Sequence, residues 1–550
     1  MKKYWLEALV FAIIGGVLLN ANLPNITWMN TDSDGAHYIL AAKYLTTAHH
    51  MSAPLYLLIG NLFLKIPLGT EAWRMGLMSV VGTMGTAVFI YLILRHLLAD
   101  NRNGRWYALI SVLVFGGSAL IISQSTIIET YTLSMMCGVG GYYFALKKKW
   151  IWASVIIGIG LAIHPFLSFI VWAVLFVAYK EMRNWRRYSI TIAFFAFYLY
   201  IPIVAQVNPN ANMWGNENPE GFIGGTLGMV VMLTGGLSMW DMPKRMIDTL
   251  LILGVSFGMG IIPMIWYFIK TRRWRNSLLW LTLIPIVYFA INLAAPTYVY
   301  MIVSVAFGSI AVGLGLSKLH IRWALATCLV AVGLLGFNAN YFDIGRTLDP
   351  EMSAMKFYNE ELPKISDGEY FMGGGWTWSM VYLYNRQEGR DIIPISIDAL
   401  PDKNYWPVLD DMGVNYDRNL LPFDSEMGYI SKQGKLALSI AEHNDGVWIA
   451  KETKPEVYQY VIEPAKGNEE YVGRWIGQEI EPSIQWKPSN PYLYISGQLE
   501  VAEWHHILWS SHNAFYVISF IVYGFGLSWL VMRFWKRKRK KVADDEVAES

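Results

Sequence analysis

The first polar stretch of this 550-residue chain reads DSDGAHYILAAKYLTTAHHMSAPLY over residues 32–56. It lies between an apolar run that ends near residue 20 and another that begins near residue 75, so it forms the first loop on the far side of a membrane. Two aspartates and three histidines lie in this stretch, and Arg74 follows before the second apolar run. Acidic side chains at the end of a membrane helix are costly unless they act on something. The stretch therefore indicates a membrane-embedded fold with an extracytoplasmic site.

The composition excludes an ordinary soluble protein. The chain is 54% hydrophobic and 16% charged, whereas about a quarter of the residues of globular proteins are charged. Its 24 tryptophans and 32 tyrosines fit rings that anchor helices at lipid headgroups. The two cysteines, Cys137 and Cys328, lie in apolar runs and suit neither a disulfide framework nor a metal knuckle.

Hydropathy predicts a polytopic α-helical membrane protein of about 12 spans. A spanning helix needs about 20 mostly apolar residues. The apolar run that follows Lys2-Lys3 is expected to be retained as a first membrane helix rather than cleaved as a signal peptide, because no small-x-small cleavage site follows it. The predicted spans are residues 5–20, 75–98, 106–124, 127–146, 150–163, 165–179, 188–206, 247–269, 277–294, 297–317, 321–340 and 512–533. The fifth and sixth are short and meet at residues 164–165, which leaves a re-entrant pair open.

The distribution of basic residues predicts the orientation of these spans. Six basic segments fall on one side of the membrane when the N-terminus is placed inside: residues 95–105, 147–149, 180–187, 270–275, 318–322 and 533–541. Lys and Arg concentrate in cytoplasmic loops, so both termini are expected to be cytoplasmic. The basic tail is interpreted as an anchor beside anionic lipid, and no nucleic-acid partner is expected. The expected location is a prokaryotic cell membrane, or the endoplasmic reticulum membrane in a eukaryote.

This topology places the candidate polar residues in one compartment. A transporter exposes its site to both sides and is often built from inverted repeats. The sequence contains no visible internal repeat. Because the candidate polar residues all lie on one side of the membrane, the sequence favours an enzyme that works at one leaflet.

The chain divides into a multi-span part (1–341), an extracytoplasmic segment (342–510) and a final span with its basic tail (511–550). Within the middle segment, residues 369–372, 391–397 and 446–450 have strand patterns, and residues 376–385 and 435–443 have helical ones. This alternation predicts a small α/β domain. The glycines at 373–375 are interpreted as a tight turn rather than a phosphate loop, because no Lys-Ser/Thr or GxGxxG spacing follows.

Several motifs resemble one family of GT-C-type membrane glycosyltransferases, the family that includes the plexin-type protein O-mannosyltransferases. The motifs are Ala41-Ala42, Ala48-His49, Pro54-Leu55-Tyr56, Ala72-Trp73-Arg74, Glu129-Thr130-Tyr131, Gly160-Leu161 with His164, and Gly389-Arg390-Asp391-Ile392. When the motif is aligned at Ala41-Ala42, the family's aspartate corresponds to Asp34 and its glutamate to His37. The chain also departs from the family at residues 50–52, where His-Met-Ser replaces Pro-Pro-Gly.

The resemblance implies an inverting glycosyltransferase of GT-C-like fold. It implies a polyprenyl-phosphate-linked sugar as donor, with mannose as the family's sugar, and a hydroxyl of an acceptor protein or glycan outside the membrane. Membrane lipids are the remaining partners. No resident cofactor is expected, because the lipid-linked sugar is a substrate. No metal site is predicted, since the spacing of His37 and His50 matches no metal template. Dependence of the reaction on a divalent metal stays open.

The candidate site residues follow from the loop alignment and from the placement of charge. Asp34 is the expected general base, and Asp32 is the second choice or an orienting partner. The alternative is that one of the two caps the helix that begins there. The expected substrate-binding residues are His37, His49, Arg74, Glu129, Tyr131 and His164. Arg74 suits a donor phosphate, or an interfacial position with its guanidinium at the membrane surface.

Two other functions remain consistent with the sequence. The chain could be a transporter or flippase of lipid-linked glycans, or a non-catalytic scaffold whose external domain recruits a partner. A transporter would tolerate Asp34→Asn if that residue acts only structurally. A scaffold would tolerate changes at Asp34, Glu129 and Arg74 together.

Overall fold

The structure is a computed structural model, and it is predominantly helical. It describes residues 5–26, 34–48, 53–69, 71–207, 242–271, 276–291, 297–341, 362–373, 378, 381–382, 384–385, 388–400, 405–420, 436–437, 439–440, 443–444 and 447–449. The predicted final span at 512–533, the predicted domain beyond residue 449 and the basic tail lie outside these residues.

Sixteen described α-helices lie between residues 5 and 341, and α17 follows within the C-terminal part. Their bounds are α1 (Trp5–Asn22), α2 (Asp34–Tyr44), α3 (Pro54–Leu64), α4 (Glu71–Leu97), α5 (Gly104–Gly116), α6 (Ala119–Ser125), α7 (Tyr131–Leu146), α8 (Trp150–Ile163), α9 (Pro165–Ala178), α10 (Trp185–Ala193), α11 (Tyr200–Val207), α12 (Met242–Phe257), α13 (Ile261–Thr271), α14 (Ser277–Ile291), α15 (Met301–Leu316), α16 (Ile321–Tyr341) and α17 (Trp406–Asp411). These counts refer to the described part of the chain. Among the 3-10 segments, Leu23–Asn25 follows α1 and Thr297–Tyr300 precedes α15.

Within the described residues, four helical segments are long and apolar enough to cross a membrane. They are Trp73–Leu97, Trp185–Val204, Met246–Thr271 and Ile321–Ala339. They match the predicted spans 75–98, 188–206, 247–269 and 321–340. The chain is thus a polytopic helical membrane protein, while the count of twelve spans stays a prediction.

The predicted span at 106–124 is bent in the structure rather than straight. The chain forms two helices there, α5 and α6, which are bent by 66° at the break. The break falls at Gly117 and Ser118, and the Gly117 carbonyl accepts a 2.6 Å hydrogen bond from the side-chain amide of Asn338 on α16. A broken helix at membrane depth persists where neighbouring helices satisfy the freed backbone groups, and hydropathy alone does not reveal such a partner.

Helix α15 lies at the centre of the bundle. All 16 of its residues are buried, as expected for a helix that is apolar on every side. It packs against α4, α5, α13 and α14. Small residues at helix interfaces let backbones approach closely in membranes, and Gly308 and Gly313 of α15 pack directly against Phe257 and Leu94.

The C-terminal part contains a three-stranded parallel sheet. Its strands are β1 (Tyr370–Gly373), β2 (Ile393–Ser396) and β3 (Trp448–Ile449), in the spatial order β2-β1-β3. Each strand falls where the sequence predicts one. Met372 and Ile395 of the sheet pack with Leu409 of α17 in a separate apolar core. The side of the membrane on which this sheet lies stays a prediction.

Candidate active site

The first loop folds into two short helices, α2 and α3, that pack on each other. The side-chain amide of Asn61 donates a 2.8 Å hydrogen bond to the Ala42 carbonyl. Ala42 is fully buried, and a Cβ added at Gly60 would lie 3.0 Å from the Cβ of Ala42, so only small residues allow this approach. Helix α2 ends at Tyr44, and the next residue, Leu45, has a φ of 51°, in the left-handed region that the residue after a helix commonly uses. The loop is therefore an ordered helical hairpin rather than a flexible connector.

A second apolar cluster fastens this hairpin to the membrane helices. It combines buried residues of the hairpin with buried residues of α4, α7 and α8. Ile128 and Ile163 belong to it, and each directly precedes a polar candidate, Glu129 and His164. The structure thus brings the hairpin, Glu129 and His164 to the same end of the helix bundle.

Glu129 is a buried carboxylate at the start of α7. Its residue is 4% exposed, and its Oε2 accepts a 3.3 Å hydrogen bond from the backbone N–H of Thr130. The Ser79 hydroxyl on α4 lies 2.7 Å from the Ile127 carbonyl and 3.2 Å from the Glu129 carbonyl, which secures the backbone before α7. Tyr56, on α3, lies within electrostatic reach of Glu129. A buried charge of this kind is expected to have a functional partner.

An aromatic cluster surrounds His164. Its ring centroid lies 5.2 Å from that of Tyr131 and 5.8 Å from that of Tyr300. Phe166 packs on Tyr300 at 4.7 Å. The structure therefore brings two predicted residues, Tyr131 and His164, into direct contact and adds Tyr300, which sequence reasoning missed.

His164 also caps a helix. It separates α8 from α9, precedes Pro165, and its Nδ1 accepts a 3.4 Å hydrogen bond from the Leu167 N–H. Since Nδ1 accepts this bond, the proton of the neutral ring lies on Nε2.

Arg74 holds the end of α3. Its Nη1 donates to the carbonyls of Leu64 and Ile66, the second at 3.0 Å. A cation at the C-terminus of a helix satisfies carbonyls that have no intrahelical partner and interacts favourably with the helix dipole. The observed contacts therefore give Arg74 a structural role, and its role toward a donor phosphate stays a prediction.

Some candidates are described only in part or not at all. Asp34 is the first residue of α2 and His37 lies in the same helix, while their side chains are outside the described part. Asp32 and His49 fall on residues that the structure does not describe. Among the described residues, no group of three or more His, Cys, Asp or Glu side chains is placed to hold a metal ion.

Asp248 on α12 is a buried carboxylate that the sequence analysis did not single out. It is 2% exposed, and α12 packs against α5, α6, α14 and α15. The signal was present in the sequence, because an acidic residue inside an apolar span is a candidate functional residue by default.

Residues 34–196 match the family model described as the protein O-mannosyl-transferase TMEM260 N-terminal domain. This confirms the resemblance over that segment. The matched segment contains Asp34, Glu129 and His164, and it begins at the first residue of α2. None of the curated proteins matches the chain in sequence.

Two solved structures are similar to this chain. They are crystal structures of ArnT from Cupriavidus metallidurans, one bound to undecaprenyl phosphate and one in the apo state. Both are 11% identical to this chain and cover 74% of it; the chain covers 95% and 94% of them, with TM-scores of 0.48 and 0.47.

Proposed function

We propose that this protein is an integral membrane glycosyltransferase that transfers a sugar, mannose, from a polyprenyl-phosphate donor to an acceptor hydroxyl outside the cytoplasm. The family match over residues 34–196 supports this proposal, because the matched domain is described as a protein O-mannosyl-transferase. The observation that carries it is the convergence of the first-loop hairpin, Glu129 and His164 within that matched segment.

The chemistry of such a transfer makes few demands on the protein. The leaving group is a phosphate, which is already stable as an anion, so no strong general acid is needed. A base must orient the acceptor hydroxyl and accept its proton, and donors must hold the sugar and phosphate. In this proposal Asp34 is the base, with Asp32 as its orienting partner.

The value of an aspartate in this role is positional. With an ordinary pKa of about 4, it is a weak base toward an alcohol in water. When held in place it accepts the proton as the bond to the sugar forms, which contributes typically ~10²–10⁴-fold. Asp34 begins α2, and α2 is fixed on α3 by buried contacts, so the backbone that carries this carboxylate is held in place.

The other candidates bind the substrates. Glu129 accepts hydrogen bonds from sugar hydroxyls. Tyr131 packs against the sugar, and His164 donates a hydrogen bond to it. His37 and His49, on the first loop, contact donor phosphate or sugar, and Arg74 contacts the donor phosphate. The transfer needs no resident cofactor in this proposal.

Transfer from radiolabelled polyprenyl-phosphate sugars tests the function directly. Membranes that contain the wild type should transfer one sugar of a panel, mannose being expected, and Asp34→Asn should lower the rate by ~10²–10⁴-fold. Asp32→Asn is the matched variant and should lower the rate less. Full transfer by Asp34→Asn excludes the proposed base, whereas no transfer by the wild type with any donor excludes the function. Movement of the intact lipid-linked glycan across vesicles without transfer would indicate a flippase instead.

A further inference from the structure

Tyr56 has a hydroxyl group that the fold itself does not use. The residue is fully buried, and its ring packs edge-on against Tyr38 with the centroids 5.0 Å apart. Within the described part of the chain, its hydroxyl oxygen has no hydrogen-bond partner. Buried polar groups in native proteins are nearly always hydrogen-bonded, because leaving one unpaired is costly. A phenylalanine would fill the same space without that cost.

Among the described residues, Glu129 is the charged group that acts electrostatically on this hydroxyl. The two side chains interact electrostatically without a direct hydrogen bond between them. They come from different segments, α3 and the residues before α7, and the apolar cluster that contains Tyr56 and Ile128 holds both in place. A tyrosine hydroxyl donates one hydrogen bond, and an ionised carboxylate only accepts. A group that both accepts and donates can accept the hydrogen bond that the Tyr56 hydroxyl lacks and donate one to Glu129 as well.

We propose that Tyr56 and Glu129 bind one hydroxyl of the transferred sugar, with Tyr56 donating to its oxygen and Glu129 accepting its hydrogen. The inference rests on the proposed function. It assigns this pair to the sugar rather than to the acceptor, because the acceptor hydroxyl loses its proton to Asp34 and needs no second carboxylate. Tyr56 is thereby a substrate-binding residue of the first loop. Water has the same donor and acceptor chemistry, and the experiment separates the two occupants.

The experiment compares two lipids that differ only in the sugar. Binding of undecaprenyl phosphate, and of undecaprenyl phosphate carrying the sugar that the transfer panel selects, is measured on the purified full-length protein. The variants are Tyr56→Phe, Glu129→Gln and the double variant. Tyr142→Phe is the matched control, because Tyr142 is also buried but its hydroxyl is paired with Ser277 at 3.4 Å. Tyr142 belongs to a different apolar cluster, the one around α15.

Tyr56→Phe should weaken binding of the sugar-bearing lipid by about 3–10-fold and leave binding of undecaprenyl phosphate unchanged. Its unfolding temperature without ligand should stay the same or rise, since no native hydrogen bond is lost. Glu129→Gln should weaken the sugar-bearing lipid by about 10–100-fold, as expected for a hydrogen bond to a charged group. The double variant should lose less than the product of the two effects, because both residues act on one hydroxyl. Tyr142→Phe should lower the unfolding temperature without changing the preference between lipids.

Three outcomes overturn the inference, and they differ from failure of the proposed function. If Tyr56→Phe binds both lipids as the wild type does, the hydroxyl serves a water only. If it weakens both lipids equally, Tyr56 acts on the hairpin rather than on the sugar. If the losses multiply, the two residues do not share a hydroxyl. Failure of the wild type to prefer any sugar-bearing lipid overturns the proposed function and this inference with it.

Discussion

Replacement of Gly82 by alanine should separate the two helices that carry the candidate site. Gly82 lies on α4, which packs on α7. A Cβ at this position would lie 2.5 Å from the Leu133 amide nitrogen and 2.5 Å from the Thr132 carbonyl carbon. Both are backbone atoms, so no side-chain rotation relieves the contact.

The size of the displacement follows from these distances. Non-bonded carbon atoms are most stable about 3.5–4.0 Å apart, so α4 and α7 must separate by roughly 1 Å. Overpacking of this kind costs about 1–3 kcal/mol, of which the better helix propensity of alanine returns up to about 1 kcal/mol. The first turn of α7 follows Glu129 and contains Tyr131, and a 1 Å misplacement of a binding group can lower a rate by ~10²-fold. The loss of activity should therefore exceed what the loss of stability explains.

The assay is sugar transfer by Gly82→Ala in membranes, with the unfolding temperature of the purified protein measured in parallel. Gly333→Ala is the control, because a Cβ at Gly333 on α16 meets nothing within 4 Å. The control should keep full activity and equal or greater stability. Equal activity and stability in Gly82→Ala and Gly333→Ala would refute the close packing on which the site geometry depends.

Three further predictions concern residues with described contacts. Arg74→Ala should destabilise the protein by about 1–3 kcal/mol, measured by thermal unfolding, because carbonyls at the end of α3 lose a charged donor. His164→Ala should cost about 1 kcal/mol, since α9 loses the side chain that caps its N-terminus, and His164→Asn should restore stability because asparagine also caps. Hydrogen bonds from the Asp391 N–H and then from Arg390 lower the pKa of the Asp367 carboxyl below its usual 3.8. The ionised carboxylate therefore stabilises the fold above that pH, and amide protection at Asp391 should fall as the pH drops below it.

Each of these three predictions has an experimental outcome that would contradict it. A raised Michaelis constant for the donor in Arg74→Lys, at unchanged stability, would mean that the guanidinium binds phosphate beyond its role on α3. Recovery of activity together with stability in His164→Asn would leave the imidazole without a role in binding. Asp367→Asn should remove the pH dependence of protection at Asp391; persistence of that dependence would assign it to another carboxyl.

Periodicity and charge were sufficient to predict the long helices. The four long apolar helices and the three strands fall where hydropathy and alternation place them, because these signals depend on residues close in sequence. The bend between α5 and α6 could not be predicted this way. It depends on Asn338, whose side chain reaches the Gly117 carbonyl from a helix 221 residues away in sequence.

The residues of the candidate site were likewise predictable from the sequence only in part. Glu129 and His164 were identifiable because polar residues at the ends of apolar runs are costly. Tyr300 was not, since a tyrosine in an aromatic-rich chain carries no local signal. Tyr56 was identifiable only as part of the Pro54-Leu55-Tyr56 motif, and the sequence assigned it no role. For Arg74 the sequence predicted a binding role and did not reveal a structural one. Only the fold shows that its guanidinium donates hydrogen bonds to carbonyls at the end of α3.

The bend between α5 and α6 also constrains how the protein is made. The Gly117 carbonyl finds its partner on α16, and the Ser125 hydroxyl at the end of α6 finds Asn22 on α1. The ribosome has therefore synthesised more than half of the chain before Asn338, the partner of the Gly117 carbonyl, exists. The hydrogen bond at the bend, in the segment that leads into Glu129, can therefore form only after the chain has been synthesised through Asn338.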